Sequence, residues 1–430
     1  MNVGVIGTGY VGLITAVCFA RKGNSVTGFD TDTRKIEGLN AKPRITPIYE
    51  AGLEDALNET LGKTLALSTR LEDAVRGKDV IFIAVPTPPK LDGSADLSYV
   101  ENSVQSVVKH LSGYATLVLR STAPAGTADA MKLMAEKYHN GHDFDFAGNP
   151  EFLRQGTAIE DFEHPDRIVI GTESERAESL LRKLYEPFDR PIYKAGLRSA
   201  EAVKVISNTL LAQRVADANF VARYSDAIGA DQHEILHLVG QDKRIGSHFL
   251  EPGPGFGGSC FPKDVAALVA ECRKLGVKHS LIETILKDNH DHMLYVAEQT
   301  ERLCGELRGK TVGVLGLAFK AGTDDMREAV SIPIIRHLQG RGARIQAYDP
   351  QSMEKAKPHL PDITYCDKSI DAVRDAHIAL LLTNWPEFKL LSPQAMRKEM
   401  ESPVVYDTRN ALNGALFKKA GLIYRGMGRR

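Results

Sequence analysis

The sequence predicts an α/β protein with two doubly wound domains, joined by a long central helix and a small helical middle domain. Three observations predict this fold. An apolar strand near the N-terminus runs into a glycine-rich turn and a helix, and the same order returns after Gly309. Between them, apolar residues from 198 to 230 keep helical spacing without an internal breaker. We expect the domains to span residues 1–196, 197–298 and 299–430.

Composition argues against several classes of protein. The 430 residues exceed what one core usually serves, and a net charge of -1 gives no reason to expect nucleic acid as a partner. No apolar run approaches the roughly 20 residues that span a bilayer, so we expect no membrane. The cysteines are scattered without paired spacing, which fits a reducing, cytoplasmic location: Cys18, Cys260, Cys272, Cys304 and Cys366.

The first strand ends in a turn that is typical of dinucleotide binding. The apolar stretch 2–6 runs into Gly7, and a helical stretch follows. Gly7 allows a tight turn, Gly9 lets a pyrophosphate approach the backbone, and Gly12 lets helix and strand pack closely. We therefore predict a Rossmann-like site for NAD around Gly7, Gly9, Tyr10, Val11 and Gly12.

An acid after the second strand indicates which dinucleotide binds. Asp30 follows the strand at 25–29, roughly 20 residues beyond the glycines, where a carboxylate hydrogen-bonds a ribose 2′-hydroxyl and repels a 2′-phosphate. NAD is therefore expected rather than NADP. Lys35, on the next helix, either reaches the adenosine end or is a solvated surface lysine.

Two threonine-bearing loops follow the next strands. Thr87 comes after the strand at 79–85, and Thr122 after the strand at 116–119. Ligands on open α/β sheets bind beyond the carboxyl ends of the strands. Both threonines are therefore candidate cofactor contacts, with an ordinary role in turns or caps as the alternative.

The chemistry is expected around Cys260. The run from Gly253 to Asp264 is too rich in glycine and proline for a helix or strand, so its backbone can press closely against a bound molecule. Helical spacing begins at Lys263, which places Cys260 at a helix start, where free N–H groups, the helix dipole and Lys263 favour a thiolate. Cys260 is a candidate nucleophile, and a buried structural cysteine is the alternative.

Three polar residues in the middle of the chain are further candidates. Glu151 follows a proline at a chain turn, where its carboxylate either faces a cleft or caps the next turn. Lys204 and Asn208 lie four residues apart on the long helix and so project from the same side of it. A solvated surface pair is the alternative interpretation.

The last third of the chain repeats the first. A strand at 310–315 is followed by a glycine turn, and Lys320, Arg327 and Arg409 supply cations at one end of the predicted sheet. Such groups suit phosphate or carboxylate partners, and surface charge is the competing explanation. Two nucleotide-binding domains joined by a helix predict a cleft with a nucleotide on each side.

Two other features are interpreted as inert. The run Asp288-Asn289-His290-Asp291-His292 looks like a metal site, but residues two apart on a helix point to nearly opposite sides. We interpret it as a solvated helix end and expect no metal. Arg425, Arg429 and Arg430 are interpreted as a soluble tail.

In their order, these motifs resemble the UDP-glucose/GDP-mannose dehydrogenase family over essentially the whole chain. The resemblance rests on the glycine turn at 7–12, on the stretches 121–127 and 149–153, on Lys204 with Asn208, and on the stretches 255–264 and 319–325. It implies an NAD-dependent double oxidation of the C6 alcohol of a nucleotide sugar to a carboxylate. The stretches 244–246 and 261–264 favour UDP-glucose over GDP-mannose.

The resemblance also implies roles for the catalytic candidates. Cys260 attacks the C6 aldehyde and holds it as a thiohemiacetal and then a thioester, which water hydrolyses. Lys204 and Asn208 donate to the oxygen that becomes negative, unless Lys204 acts as a base. Asp264 and Glu151 handle the proton and orient the water. Thr122 joins them at the same centre.

Binding residues are carried over in the same way. Gln155, Lys263 and Arg327 are implied cofactor contacts. Arg244 is implied to meet the diphosphate of a neighbouring subunit's substrate, so we expect a homodimer. The implied contacts of the nucleotide sugar are Glu151, Phe152, Leu153, Arg154, Gln155, Lys204, Asn208, Phe249, Leu250, Glu251, Pro252, Gly253, Gly257, Lys320 and Arg409.

Two positions depart from the family pattern. Gln155 stands where the family usually has glutamate, so an acid/base task at that position is in doubt. Phe220 stands where glutamate is common, from which we infer altered packing and no lost chemistry.

Two functions of other kinds stay open on the sequence alone. A catalytically silent regulator would bind NAD without turnover. A simple alcohol dehydrogenase would stop at the aldehyde and be indifferent to Cys260→Ala.

Overall fold

The computed structural model describes residues 1–429, which form two compact units. The first contains residues 1–207 and 270–276, and the second contains residues 208–269 and the described residues from 277 onward. Arg430, the last residue of the predicted tail, lies outside the described residues.

The first unit is built on one sheet. In chain order its strands and helices are β1 (Asn2–Ile6), α1 (Tyr10–Arg21), β2 (Ser25–Phe29), α2 (Thr33–Asn40), α3 (Leu53–Thr60), β3 (Leu65–Ser68), α4 (Leu71–Val75), β4 (Val80–Ile83), α5 (Ser98–Lys109), β5 (Ala115–Leu119), α6 (Thr127–Tyr138), β6 (Phe144–Gly148), α7 (Ala158–Glu163), β7 (Ile168–Gly171), α8 (Glu175–Tyr185) and β8 (Ile192–Ala195).

The strand order of this sheet is that of a doubly wound fold. It reads β3-β2-β1-β4-β5-β6-β7-β8, and neighbours pair in parallel except β6 with β7. The central strand β4 has the continuous apolar sequence Val-Ile-Phe-Ile and is buried throughout, because helices cover both faces of a parallel sheet. The order reverses between β1 and β4, so β1 and the turn after it lie at the switch point where ligands bind.

Four helices occupy the middle of the chain. They are α9 (Leu197–Ile228), α10 (Gln232–Gly240), α11 (Phe261–Leu275) and α12 (Ser280–Cys304). The 32-residue α9 confirms the long helix predicted from apolar spacing. The division between the two units falls within α9 after Ser207, and α11 is divided in the same way after Val269.

The second unit carries a parallel sheet of its own, in the order β11-β10-β9-β12-β13-β14. This arrangement confirms the α/β class with two doubly wound sheets and a long helix in the middle of the chain. Its elements are β9 (Thr311–Leu315), α13 (Ser331–Gly340), β10 (Arg344–Tyr348), α14 (Met353–Ala356), β11 (Thr364–Tyr365), β12 (Ile378–Leu381), α15 (Pro393–Glu399), β13 (Val404–Asp407), α16 (Gly414–Lys419) and β14 (Ile423–Gly426).

The interpretation of Arg425 and Arg429 as a soluble tail is wrong. Arg425 lies in β14 and forms an ion pair with Asp226 of α9, and Arg429 pairs with Asp231 at 3.3 Å. These cations fix the last strand to the helical part of the second unit.

Among residues 1–429, no helix combines the length and the apolar character needed to cross a membrane.

Candidate active site

The glycine turn after β1 fits a dinucleotide. Gly7 has φ +91° and donates its N–H to the carbonyl of Phe29 at 2.8 Å, and a Cβ on Gly12 would lie 1.8 Å from the carbonyl oxygen of Gly7. Gly12 is therefore required by the packing of α1 on β1. A Cβ on Gly9, in contrast, would meet no atom within 4 Å, which leaves the backbone at the start of α1 open to a pyrophosphate.

Asp30 stands beside this turn as an anion. Its Oδ2 accepts hydrogen bonds from the N–H of Thr8 at 2.9 Å and from Nζ of Lys35 at 2.7 Å. Burial by itself raises the pKa of Asp30, but Lys35 and the backbone N–H groups of Asp32 and Thr8 outweigh burial and lower it. Lys35 is thus no solvated surface lysine, because it is half-buried and holds Asp30 in place beside the turn.

Tyr10 leads to a residue that the sequence analysis missed. Its hydroxyl donates to Glu50 at 2.5 Å, and the same carboxylate accepts the N–H groups of Gly156 and Ala158, each at 2.7 Å. The buried Glu50 thereby fixes the segment after Glu151 to the start of α1. Glu50 follows an irregular stretch without periodicity, so no local signal marks it.

The two threonine loops lie side by side at the carboxyl ends of β4 and β5. The hydroxyl of Thr87 donates to the carbonyl of Thr122 at 2.8 Å, and Ser121 donates to the carbonyl of Val85 at 2.7 Å. Thr87 is buried, whereas Thr122 is partly exposed. The Thr87 side chain therefore has a structural role, because it holds the Thr122 loop at the switch-point edge of the sheet.

Glu151 and Lys204 form a buried ion pair. The Lys204 Nζ lies 3.1 Å from Oε1 of Glu151, and the side chains of Lys204 and Glu151 are 5% and 6% exposed. Burial raises the pKa of Glu151, but the charge of Lys204, the N–H of Leu153 and the charge of Arg120 together lower it. Lys204 is consequently not the solvated surface lysine of the alternative interpretation.

Aromatic and cationic groups surround this pair. Phe152 is half-buried, with the guanidinium of Arg167 3.9 Å and Nζ of Lys204 5.7 Å from its ring centroid. Arg154 is exposed and forms an ion pair with Asp161 at 2.5 Å. Leu153 and Gln155 are partly buried nearby in the chain, and Val11 is partly buried at the start of α1.

In the second unit, Asn208 holds the carboxylate of Asp264. Nδ2 of Asn208 donates to Oδ2 of Asp264 at 2.6 Å, and Nζ of Lys263 donates to Oδ1 at 2.6 Å. Asn208 and Asp264 are both buried. The structure therefore brings these three predicted residues together as a buried acid with two donors.

Cys260 directly precedes α11, as the change to helical spacing predicts. Its carbonyl accepts the N–H of Asp264 at 2.8 Å, which closes the first turn of the helix. Its Sγ lies 3.6 Å from the hydroxyl of Ser259, and the residue is half-buried. This is the position at which a helix favours a thiolate.

The glycines before Cys260 are required by the protein itself. A Cβ on Gly257 would lie 2.0 Å from the carbonyl oxygen of Glu328, and one on Gly258 would lie 2.8 Å from the ring of Phe319. A Cβ on Gly253 would lie 2.6 Å from the guanidinium of Arg409. The close approach that the sequence predicts for a bound molecule is made here by the backbone and side chains of the same unit.

The interpretation of residues 288–292 as a solvated helix end is wrong. They lie within α12, where Asn289 and His292 are buried. Asn289 accepts the N–H of Phe256 and donates to its carbonyl, each at 2.8 Å, and Nε2 of His292 lies 2.7 Å from the carbonyl of Gly253. Burial lowers the pKa of His292 to about 4, so the ring is neutral and donates from Nε2. These side chains hold the loop that leads to Cys260.

The predicted cations of the second unit differ in their surroundings. Arg327 is fixed by Asp325, which raises the pKa of its guanidinium, and Cys260 adds a smaller effect of the same sign. Arg409 is partly buried and donates to the carbonyl of Leu382 at 2.9 Å, and burial lowers its pKa to about 10. Lys320 is half-buried beside the ring of Phe319.

The remaining predicted contacts lie on the loop before the glycines. Phe249 is exposed with φ +61°, Glu251 is exposed, and Leu250 and Pro252 are half-buried. Arg244 is exposed and paired with Asp242 at 2.6 Å.

Known proteins resemble this chain over its full length. Models of the UDP-glucose/GDP-mannose dehydrogenase family match the NAD binding domain at residues 1–189, the central domain at 198–291 and the UDP binding domain at 313–414. The chain belongs to the UDP-glucose/GDP-mannose dehydrogenase family. NAD is therefore its cofactor, and its activity is that of an NAD-dependent nucleotide-sugar dehydrogenase.

Individual members of this family agree with that assignment. UDP-glucose 6-dehydrogenase TuaD of Bacillus subtilis is 39% identical over 431 residues, which cover 100% of this chain and 93% of TuaD. A UDP-glucose dehydrogenase from Pyrobaculum islandicum has a TM-score of 0.92 at 38% identity, with 100% and 98% of the two chains covered. A UDP-D-ManNAc dehydrogenase from Pyrococcus horikoshii has a TM-score of 0.87 at 29% identity, with 100% and 99% covered.

The two departures from the family pattern have different surroundings. Gln155 is half-buried in the segment that Glu50 anchors. Phe220 is exposed on α9 and stacks on Tyr224, with 6.2 Å between the ring centroids. Phe220 therefore presents an aromatic side chain on the surface of α9.

Proposed function

We propose that the protein oxidises C6 of UDP-glucose to the carboxylate through a covalent intermediate on Cys260. The observation that supports this most directly is the position of Cys260 at the start of α11, one turn before an Asp264 that Asn208 holds. The curated relatives and the Pyrobaculum islandicum structure, which bear the name of the UDP-glucose enzyme, support the substrate.

The oxidation needs a covalent hold because it takes two steps. NAD, when bound, accepts the hydrides that the two oxidations release. Once C6 has become an aldehyde, the thiolate of Cys260 adds to it, forming a C–S bond and an alkoxide that takes up a proton. Loss of that proton and of the second hydride leaves a thioester. Water adds to the thioester, the C–S bond breaks, and the thiolate returns with the product carboxylate.

The donors around the reacting oxygen are assigned from their charge state. A carboxylate at 3.1 Å favours the ammonium form of Lys204, so we assign Lys204 and Asn208 as donors to the developing alkoxide. Asp264 accepts hydrogen bonds from Asn208 and Lys263, which fix its carboxylate, and we assign it the orientation of the hydrolytic water. Glu151 is assigned the transfer of the proton. Thr122 is assigned a contact at the same centre.

Substrate contacts are proposed on the same basis. The loop 249–253, Gly257 and the cations Lys320 and Arg409 would hold the nucleotide sugar, and the pKa of Arg409, about 10, keeps it charged at neutral pH. Lys263 and Arg327 are assigned to the cofactor.

The test measures products with Cys260→Ala and, as a matched control, Cys272→Ala, which changes a half-buried cysteine on α11. The wild type and the control should form two NADH and one carboxylate per UDP-glucose, with little turnover of GDP-mannose. Cys260→Ala should form no acid. Acid formation by Cys260→Ala would refute the covalent mechanism, and one NADH per sugar in the wild type would favour a simple alcohol dehydrogenase.

We also propose a cytoplasmic homodimer. All five cysteines lie within residues 1–429 and none of them is in a disulfide, which suits a reducing compartment.

Along α9, Leu210, Phe220, Tyr224 and Ile228 are exposed, and a second copy of the chain would cover them. Leu210→Glu should then lower the mass measured by light scattering, whereas the same change at Leu133, which is exposed on α6, should not. Arg244 would reach the partner's substrate.

A further inference from the structure

A buried carboxylate from α9 anchors the loop that carries Thr122. Oε2 of Glu201 accepts the N–H of Gly126 at 2.7 Å, and Oε1 accepts the N–H of Ala128 at 2.6 Å. N–H groups at the start of a helix have no partner within the helix, so a side chain or water must satisfy them. Glu201 therefore fixes the point where the loop ends and α6 begins.

The same turn of α9 carries Lys204. Glu201 and Lys204 are three residues apart and project from one side of the helix. One of them holds the Thr122 loop, and the other is paired with Glu151. A shift of the loop relative to this turn would therefore change the spacing between Thr122 and the Lys204–Glu151 pair.

We propose that Glu201 is a positioning residue for the oxidation. Its carboxylate fixes the Thr122 loop against the turn of α9 that carries Lys204, and the affinity for NAD depends on that hold. The inference rests on the proposed role of Thr122 at the cofactor. Glu201 itself acts through the loop.

The charges around Glu201 make its hold on the loop depend on pH. Burial raises the pKa of Glu201 to about 7, against the effect of the two N–H bonds, and Asp129 and Glu271 raise it further. Glu271 itself binds the N–H of Ala125. The charged groups around this cluster are Asp129 on α6, Glu271 and Lys274 on α11, and Arg198 on α9, which pairs with Asp129 at 2.6 Å.

The consequence follows from the accepting capacity of the side chain. An ionised carboxylate accepts both N–H groups, whereas a protonated one has to direct an O–H toward its surroundings and holds the loop less tightly. We therefore expect the affinity for NAD to fall as the pH is lowered from about 8 to about 6, across the pKa of Glu201.

The test uses Glu201→Gln, with Asp129→Asn as the matched control. Asp129 is an acid in the first turn of α6, the helix at whose start Glu201 binds. Its loss changes the local charge without removing an acceptor of the N–H groups of Gly126 and Ala128. Amide exchange in the NAD-free protein should become about tenfold faster at Gly126 and Ala128 in Glu201→Gln and stay unchanged in Asp129→Asn. The Kd for NAD, measured by calorimetry at a pH of about 8, should rise about tenfold in Glu201→Gln and not in Asp129→Asn. The expected factor of ten corresponds to the loss of one charge-assisted hydrogen bond.

The pH profile separates positioning from a merely structural role. The Kd of the wild type should rise on acidification, and that of Glu201→Gln should not. Equal pH profiles, or unchanged exchange in Glu201→Gln, would overturn the proposal. Faster exchange with an unchanged Kd would show that the affinity for NAD does not depend on the Thr122 loop, and this result would also overturn the proposal. The exchange is measured in the NAD-free protein, so its outcome does not depend on the proposed function.

A second variant guards against loss of the fold. Glu201→Asp keeps the charge but is one methylene shorter, so it should raise the Kd for NAD and retain a dependence on pH. Wild-type affinity in Glu201→Asp, together with wild-type exchange at Gly126 and Ala128, would count against the proposal.

Discussion

The buried pair of Glu151 and Lys204 supports a prediction that separates stability from catalysis. The charges are 3.1 Å apart, and the side chains of Lys204 and Glu151 are 5% and 6% exposed. At an effective dielectric constant of about 20, their attraction is about 5 kcal/mol, which the loss of hydration largely offsets. Removing one partner takes away the opposite charge that faces a buried group, which costs about 3–5 kcal/mol.

The perturbation is a double-mutant cycle with Glu151→Gln and Lys204→Met. Each single variant should lose about 3 kcal/mol of unfolding free energy, because the introduced amide cannot neutralise Lys204 and the introduced thioether cannot neutralise Glu151. The double variant buries no unpaired charge at this site, so it should lose clearly less than the sum, with a coupling energy of about 2 kcal/mol or more. It should nevertheless be inactive, since it lacks the proposed donor and the proposed proton carrier.

The assay is urea unfolding followed by far-UV circular dichroism, together with NADH formation. The single tryptophan, Trp385, lies in the second unit, so its fluorescence gives a separate measure of that unit. Additive losses in the double variant would refute the ion pair as the source of stability. Activity in the double variant would refute the catalytic roles.

Two further predictions concern backbone contact and pH. Gly12→Ala should cost about 3 kcal/mol of unfolding free energy, because its Cβ would lie 1.8 Å from the carbonyl oxygen of Gly7. Gly9→Ala should leave the unfolding free energy within about 0.5 kcal/mol of the wild type and weaken NAD binding measured by calorimetry. A Gly12→Ala variant as stable as the wild type would contradict this. The pKa of His292 is lowered by folding from its ordinary value of 6.5 to about 4, so its contribution to stability is present above pH 6.5 and is lost as the pH falls toward 4. That loss should amount to about 3 kcal/mol in the wild type and be absent in His292→Gln, as measured from melting curves recorded at several pH values. The same dependence of stability on pH in both proteins would argue against this prediction.

Much of the fold and part of the site could be predicted because their signals are local. The glycine turn after β1, the 32-residue α9 and the start of α11 at Cys260 each follow from spacing within one segment. A buried parallel strand or a helix start constrains its own residues, so it leaves a pattern in a short stretch of sequence.

Acids at strand ends mark where such local inference stops. Asp30 and Asp349 both follow the second strand of their sheets. Asp30 is shared between Thr8, Asp32 and Lys35 beside the glycine turn. Asp349 is fully buried and accepts hydrogen bonds from the N–H of Leu317 and from Trp385, so the protein itself uses its carboxylate.

By itself, the sequence determined the α/β class, the glycine turn after β1, the family and the position of the candidate nucleophile. The tertiary structure alone decided that Glu50, Glu201 and His292 support the loops around the site, and that Gly257 faces Glu328. Periodicity determines which side of its own helix a residue occupies, but the element that packs against that side is chosen by contacts between residues distant in the chain. Those contacts decide whether a polar side chain is solvated or buried with a partner.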